Sequence, residues 1–138
     1  MPISDIMIGI KTKYTGSALA NVLTGGIWDT QAPEGTAFPY AVVQITSNMN
    51  NETYTSDIEY FRIQFNVITN NLNKSAASVG LNALETALRA LFDNAILTVS
   101  GWTNIIFRWT KSEAIFSLST KVIGVMVEYE TYIEKIKT

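Results

Sequence analysis

Residues 57–70, DIEYFRIQFNVITN, decide the fold. Counted in twos, Phe61, Ile63, Phe65 and Val67 form an apolar row, and Tyr60, Arg62, Gln64 and Asn66 form a mostly polar one. A period of two puts these rows on opposite faces of a β-strand, one packed and one open to water or to a partner. A strand this long and apolar is poorly suited to be a bare sheet edge.

The stretch on its N-terminal side reads as a strand over 40–47, rich in β-branched residues, then a polar, Asn-rich hairpin tip over 48–56. On its C-terminal side a helix is expected over 75–92. Its stripe Ala77, Leu81, Leu84, Leu88, Leu91 has the spacing of a helix laid on a core. Glu85 and Arg89 form an i,i+4 pair on the far side of that helix. Farther out, Ser4 and Asp5 open an N-terminal helix carrying Ile6, Ile10 and Tyr14, and Ser17 restarts a shorter one through Leu19, Val22 and Leu23. Gly25-Gly26 stops it, Ile27-Trp28-Asp29 is a brief extended segment, and 30–39 is a Pro/Gly loop. After Asp93-Asn94 come a short strand over 96–99, a Ser100-Gly101 turn, a strand over 104–111 and a long last strand over 121–133. The order ααββαβββ, without strand–helix–strand repetition, predicts an α+β fold. We expect a mainly antiparallel sheet with two helices packed on one face, in a single domain spanning 1–138.

Composition excludes several function classes. The 138 residues are 47% hydrophobic, which suits one domain with a real core. Ten basic and twelve acidic residues leave a net charge of −2, without a polybasic footprint for nucleic acid or an anionic membrane. Cysteine and histidine are absent, which removes disulfides, thiol nucleophiles, the usual zinc ligand sets and Ser-His-Asp catalysis. The N-terminal stretch lacks the pattern of an export signal, and no apolar window reaches membrane-spanning length.

Three constellations have residue types that could carry chemistry. Glu128 and Glu130 share one face of the last strand about 7 Å apart, a spacing used by paired carboxylates in glycosidases, but a solvated outer face is the simpler reading. Asn48, Asn50, Asn51, Glu52, Asp57 and Glu59 are oxygen-rich, yet lack the spacing and Gly of a calcium loop. Tyr60, Arg62, Arg108 and Trp109 are too few for a single-strand stacking platform, and Phe61 and Phe65 belong to the apolar row. Trp28, Trp102 and Trp109 read first as packing residues. No cofactor, metal or catalytic residue is expected.

One segment goes further. Within residues 23–47, Gly25-Gly26, Ile27-Trp28-Asp29, Ala32-Pro33-Glu34-Gly35 and Phe38-Pro39-Tyr40 follow one another. This series resembles the tail-completion or tail-terminator proteins of long-tailed bacteriophages, with Trp28 standing where Tyr is more usual. The resemblance implies a virion protein without catalysis: a homo-oligomeric ring, typically of six subunits, capping the tail tube protein and meeting a head-connector or stopper protein. DNA passes through such a ring without specific binding, and no membrane is involved. On this view Tyr60, Arg62, Gln64, Asn66 and Tyr132 contribute to subunit contacts, and Glu52, Asp57, Glu128 and Glu130 face the channel. Another neck or adaptor component, or a small binding module using an exposed sheet edge, is the alternative.

Overall fold

The computed structural model describes residues 3–52, 57–70, 77–99, 101–117 and 122–135, with backbone alone at 47–52, 57, 70, 77–79, 98, 104–106, 116–117 and 122. Helices α1 (Ile3–Tyr14) and α2 (Ala18–Val22) precede strands β1 (Ile27–Asp29), β2 (Tyr40–Glu52) and β3 (Asp57–Asn70). Helix α3 (Ala77–Phe92) and strands β4 (Thr98–Val99), β5 (Trp102–Ser117) and β6 (Val122–Lys135) follow. The strands form one sheet in the order β1-β2-β3-β6-β5-β4. Every pairing is antiparallel except the short β1–β2 contact, which is parallel. The α+β expectation therefore holds, with α2 as a third, minor helix.

The apolar row of β3 is the floor of the core: Phe61, Ile63, Phe65 and Val67 are buried. Val125, Val127, Tyr129 and Ile133 of β6 extend that floor, as do Ala41 and Val43 of β2. Three helices close it, through Ile6, Met7 and Ile10 of α1, Leu19 of α2, and Leu81, Leu84, Leu88 and Phe92 of α3. Each large side chain so buried contributes about 1.5–3 kcal/mol, which is why the leucine stripe, more than helix propensity, fixes α3. At the centre the Phe65 ring lies 4.7 Å from Phe92 and 5.8 Å, edge-on, from Tyr129.

Two boundaries differ from expectation. Strand β2 continues through the polar stretch to Glu52 and pairs with β3 down to Glu52↔Asp57, with a bulge between Ser47 and Met49. Ladder bonds are made by the backbone, so an apolar–polar pattern is not needed to prolong a hairpin. Strand β5 likewise runs from Trp102 to Ser117, held by β6 and interrupted by irregularities at Asn104/Phe107 and Trp109/Lys111.

The Gly25–Tyr40 segment is a packed unit. The Gly25 amide donates to the Pro39 carbonyl (2.8 Å), the Trp28 indole N–H to the Gly25 carbonyl (2.8 Å), and the Ala41 amide to the Gly26 carbonyl (3.0 Å). A Cβ at Gly25 would lie 1.8 Å from the Ala37 carbonyl oxygen, so the close approach of the two loop arms requires glycine there. Ser17 restarts the helix as expected, but its hydroxyl bonds back to the Tyr14 carbonyl (2.6 Å) and makes no forward cap.

Candidate assembly surface

All three helices pack on one side of the sheet, which leaves the other face of β3, β6 and β5 uncovered by any helix. The β3–β6 register brings Tyr60 opposite Tyr132, Arg62 opposite Glu130, and Gln64 opposite Glu128. Tyr60 and Tyr132 rings lie 5.2 Å apart, and the Tyr60 hydroxyl donates to Glu130 Oε2 (2.8 Å). Gln64 Nε2 donates to Glu128 Oε1 (3.0 Å), and Asn66 Nδ2 reaches the Val42 carbonyl at 3.4 Å. The residues expected at subunit contacts and the two glutamates expected at the channel thus share one surface. Glu52 and Asp57 end the β2–β3 hairpin as cross-strand partners, and their side chains lie outside the described residues.

The Trp109/Lys111 irregularity of β5 supplies what sequence reading missed. It leaves Thr110 as the extra residue, and its hydroxyl oxygen sits 2.9 Å from Glu128 Oε2. No periodicity announces such a bulge. Arg62 Nε lies 3.8 Å from Glu128 Oε1 and Arg108 4.0 Å from Glu130. Lys111 pairs with Glu113 at 3.4 Å. Glu128 is only 6% exposed. Burial pushes its carboxyl up, yet the bonds from Gln64 and Thr110 and the charges of Arg62 and Lys111 outweigh it and hold it below the usual value. A general acid needs the opposite shift, so Glu128 is not poised as one. Burial and then the bond to Glu130 raise the Tyr60 hydroxyl.

Along this face Arg62, Arg108 and Lys111 are matched by Glu113, Glu128 and Glu130. With Glu134 on the same side of β6, the described part of this face carries no net positive charge. Toward the other end of the strands it turns apolar: Ile115, 47% exposed, stands opposite Gly124, which stands opposite Ile68.

The helix side holds a second polar group. Arg89 donates to Asp93 (Nη2–Oδ2 2.9 Å), lies 3.8 Å from Glu85, and its guanidinium sits 4.1 Å above the Trp109 ring. The Tyr129 hydroxyl donates to Asp93 Oδ1 at 2.5 Å. Burial, with the bond to Asp93, pushes the Tyr129 hydroxyl far above its ordinary value. The expected Glu85–Arg89 pair is present, but Asp93 is the nearer partner. The 89–93 spacing and a buried tyrosine needing a hydroxyl partner were the available signals. This group ties the end of α3 to β6 and β5 and, with Thr86 and Ala90, lines a shallow, open groove. Trp28 and Trp102 are half-buried packing residues, while Trp109 packs under Arg89 and stays partly exposed. A groove of about 510 Å³ between α1 and the 96–97 segment is lined by Asp5, Ile8, Gly9, Thr12, Lys13, Ile96 and Leu97. Among the described residues no three acidic side chains gather as a metal site, and no helix is long and apolar enough to cross a membrane.

Residues 14–134, which include the loop unit, α3 and the strands to within one residue of the end of β6, match the family of Tail completion protein gp17. The chain belongs to this family. It is a tail structural protein of phage type. A chain of similar fold occurs in the virion of a native gene transfer agent particle: 14% identity, 96% of this chain and 97% of that one covered, TM-score 0.75. That likeness concerns the fold. No curated protein matches.

Proposed function

We propose that this tail completion protein is a non-enzymatic virion component at the head–tail junction. Copies assemble as a ring, of six subunits on the family pattern, that caps the tail tube, ends its growth and meets the head connector while leaving a passage for DNA. The observation that carries this reading is the family match over 14–134. The occurrence of the same fold in a gene transfer agent virion supports a place in the particle. The uncovered sheet face supports it physically, since a broad patterned surface without an enclosed pocket suits contact with other chains better than small-molecule chemistry.

On this proposal Glu128 and Glu130, with the hairpin end at Glu52 and Asp57, border the channel. Tyr60, Arg62, Gln64, Asn66 and Tyr132 contribute where the faces of neighbouring copies adjoin. A wall without net positive charge lets DNA pass without being held, because it captures few phosphates. Electron microscopy and native mass measurement of the purified chain, alone and with tail tubes, test the reading. Rings on tube ends and tubes of defined length are expected. Tubes that keep growing in its presence with no ring at their tips overturn it. In the same assay the Arg62→Ala/Gln64→Ala double variant is expected to weaken ring formation, and rings formed as readily as by wild type remove those two residues from the contact.

A further inference from the structure

Both edges of the sheet are left half open, and the open halves suit one another. On the β2 side, β1 and Thr30 bond only Ala41–Val43, leaving the outward backbone groups of residues 44–52 without a strand partner among the described residues. On the β5 side, β4 covers Trp102 and Thr103, and residues 94–95 bond Phe107. Residues 108–117 are then left in the same state. Long open edges are templates for another strand. Their defences here are slight: one bulge in each half, and Lys111 as the only lysine in either.

Between the two edges lie β2, β3, β6 and β5, each antiparallel to the next. An even number of alternating strands makes β2 and β5 antiparallel. Docking the β5 edge of one copy on the β2 edge of the next therefore continues the same antiparallel sheet, head to tail, as a ring contact demands. The open halves are also offset. That of β2 is level with Asp57 to Gln64 of β3, and that of β5, followed through β6, is level with Arg62 to Asn70. Full overlap thus shifts each copy by about five residues, roughly 17 Å at about 3.4 Å per residue, over four strands spanning about 19 Å. A rise of ~17 Å over ~19 Å is a strand tilt of about 42°, inside the 35–45° range in which sheets close on themselves.

We propose that neighbouring copies of this chain join by pairing residues 108–117 of one with residues 44–52 of the next, in a tilted, continuous sheet. The helices then lie outside, and the open face becomes the inner wall. The inference rests on the ring reading and names the contact that builds it.

Its test uses the full chain in rings, formed alone or on tail tubes. Phe107 directs its amide away from β6, and the residues opposite Tyr129, Val127 and Val125 share that orientation, so Ser112 and Ala114 present theirs at the open edge. Amide exchange at Ser112 and Ala114 is expected to slow more than about tenfold on assembly. Ala114→Pro deletes an outward N–H only, which an edge strand tolerates, and is expected to leave a folded monomer that forms no ring. Rings whose Ser112 and Ala114 amides exchange as fast as in the monomer, or rings formed normally by the folded proline variant, overturn edge pairing and leave the ring reading standing. Protection gained on adding tube protein without self-association overturns it in favour of a strand from that protein. A wild-type chain that stays monomeric beside tail tubes overturns the ring reading and edge pairing together.

Discussion

Replacing Gly25 by alanine isolates the packing of the 25–40 unit. The added methyl carbon would lie 1.8 Å from the Ala37 carbonyl oxygen, 2.8 Å from the Pro39 carbonyl oxygen and 2.8 Å from Tyr40 Cβ. Such contacts do not occur below 3.0 Å, so the two arms must separate by at least about 1.2 Å, and backbone sits on the opposing side. That displacement breaks the Gly25–Pro39 bond and disturbs the Trp28–Gly25 and Ala41–Gly26 bonds, all now 2.8–3.0 Å. At about 1 kcal/mol for each lost bond the variant is destabilised by about 3 kcal/mol. With an unfolding entropy near 2.1 cal/mol/K per residue, each kcal/mol moves Tm by about 3.4 °C in a chain of this length, a fall of about 10 °C in all. Calorimetry on Gly25→Ala and on Gly35→Ala provides the comparison. Gly35 has φ +82° and nothing within 4 Å of its Cβ position, so alanine there costs only the left-handed backbone, about 1–2 kcal/mol. A Gly25→Ala fall no larger than that of Gly35→Ala refutes the close-approach reasoning.

Three further outcomes follow from the core and the two polar groups. Phe92→Ala removes a fully buried ring stacked among Phe65 and Phe107 and should cost about 3–5 kcal/mol in denaturant unfolding. The Tyr129 hydroxyl is raised in the folded chain, so the stability it contributes is complete below its ordinary value of 10.0 and is lost as pH rises past that value. Thermal midpoints of wild type should therefore fall more steeply above pH 10 than those of Tyr129→Phe. Glu128 is held low, so its contribution is present above the ordinary 4.5 and lost as pH falls through the depressed value. Glu128→Gln should be destabilising by about 1–2 kcal/mol at neutral pH, and the gap to wild type should narrow on acidification.

Local pattern carried most of the fold. The two-residue period of 57–70 placed Phe61 through Val67 in the core, and the leucine spacing placed α3 above them, because burial of one face is what stabilises each element. The open face was legible from the same period: Tyr60 to Asn66 fell opposite the core row. Less legible was anything set by pairing between distant strands. Whether Glu128 meets Gln64 or Arg62 depends on register, and whether Thr110 reaches it depends on a bulge. The span of β2 beyond Ser47 depends on a backbone ladder that has no side-chain signature. The half-covered edges were invisible for a similar reason, since they follow from strand order and from how little of β2 and β5 the two short outer strands reach.

The extra residue in β5 also resets the strand's parity. Before it, even-numbered Arg108 points to the open face; after it, odd-numbered Lys111 and Glu113 do, while Trp109 and Ser112 both face the helices. Thr110 therefore works as a frame-shift within the strand. Were the strand to pair regularly through Thr110, without the bulge, Lys111 and Glu113 would turn to the packed side and Ser112 and Ala114 outward. Deleting Thr110 alone closes the bulge, keeps Lys111 and Glu113 on the open face and costs chiefly the Thr110–Glu128 contact.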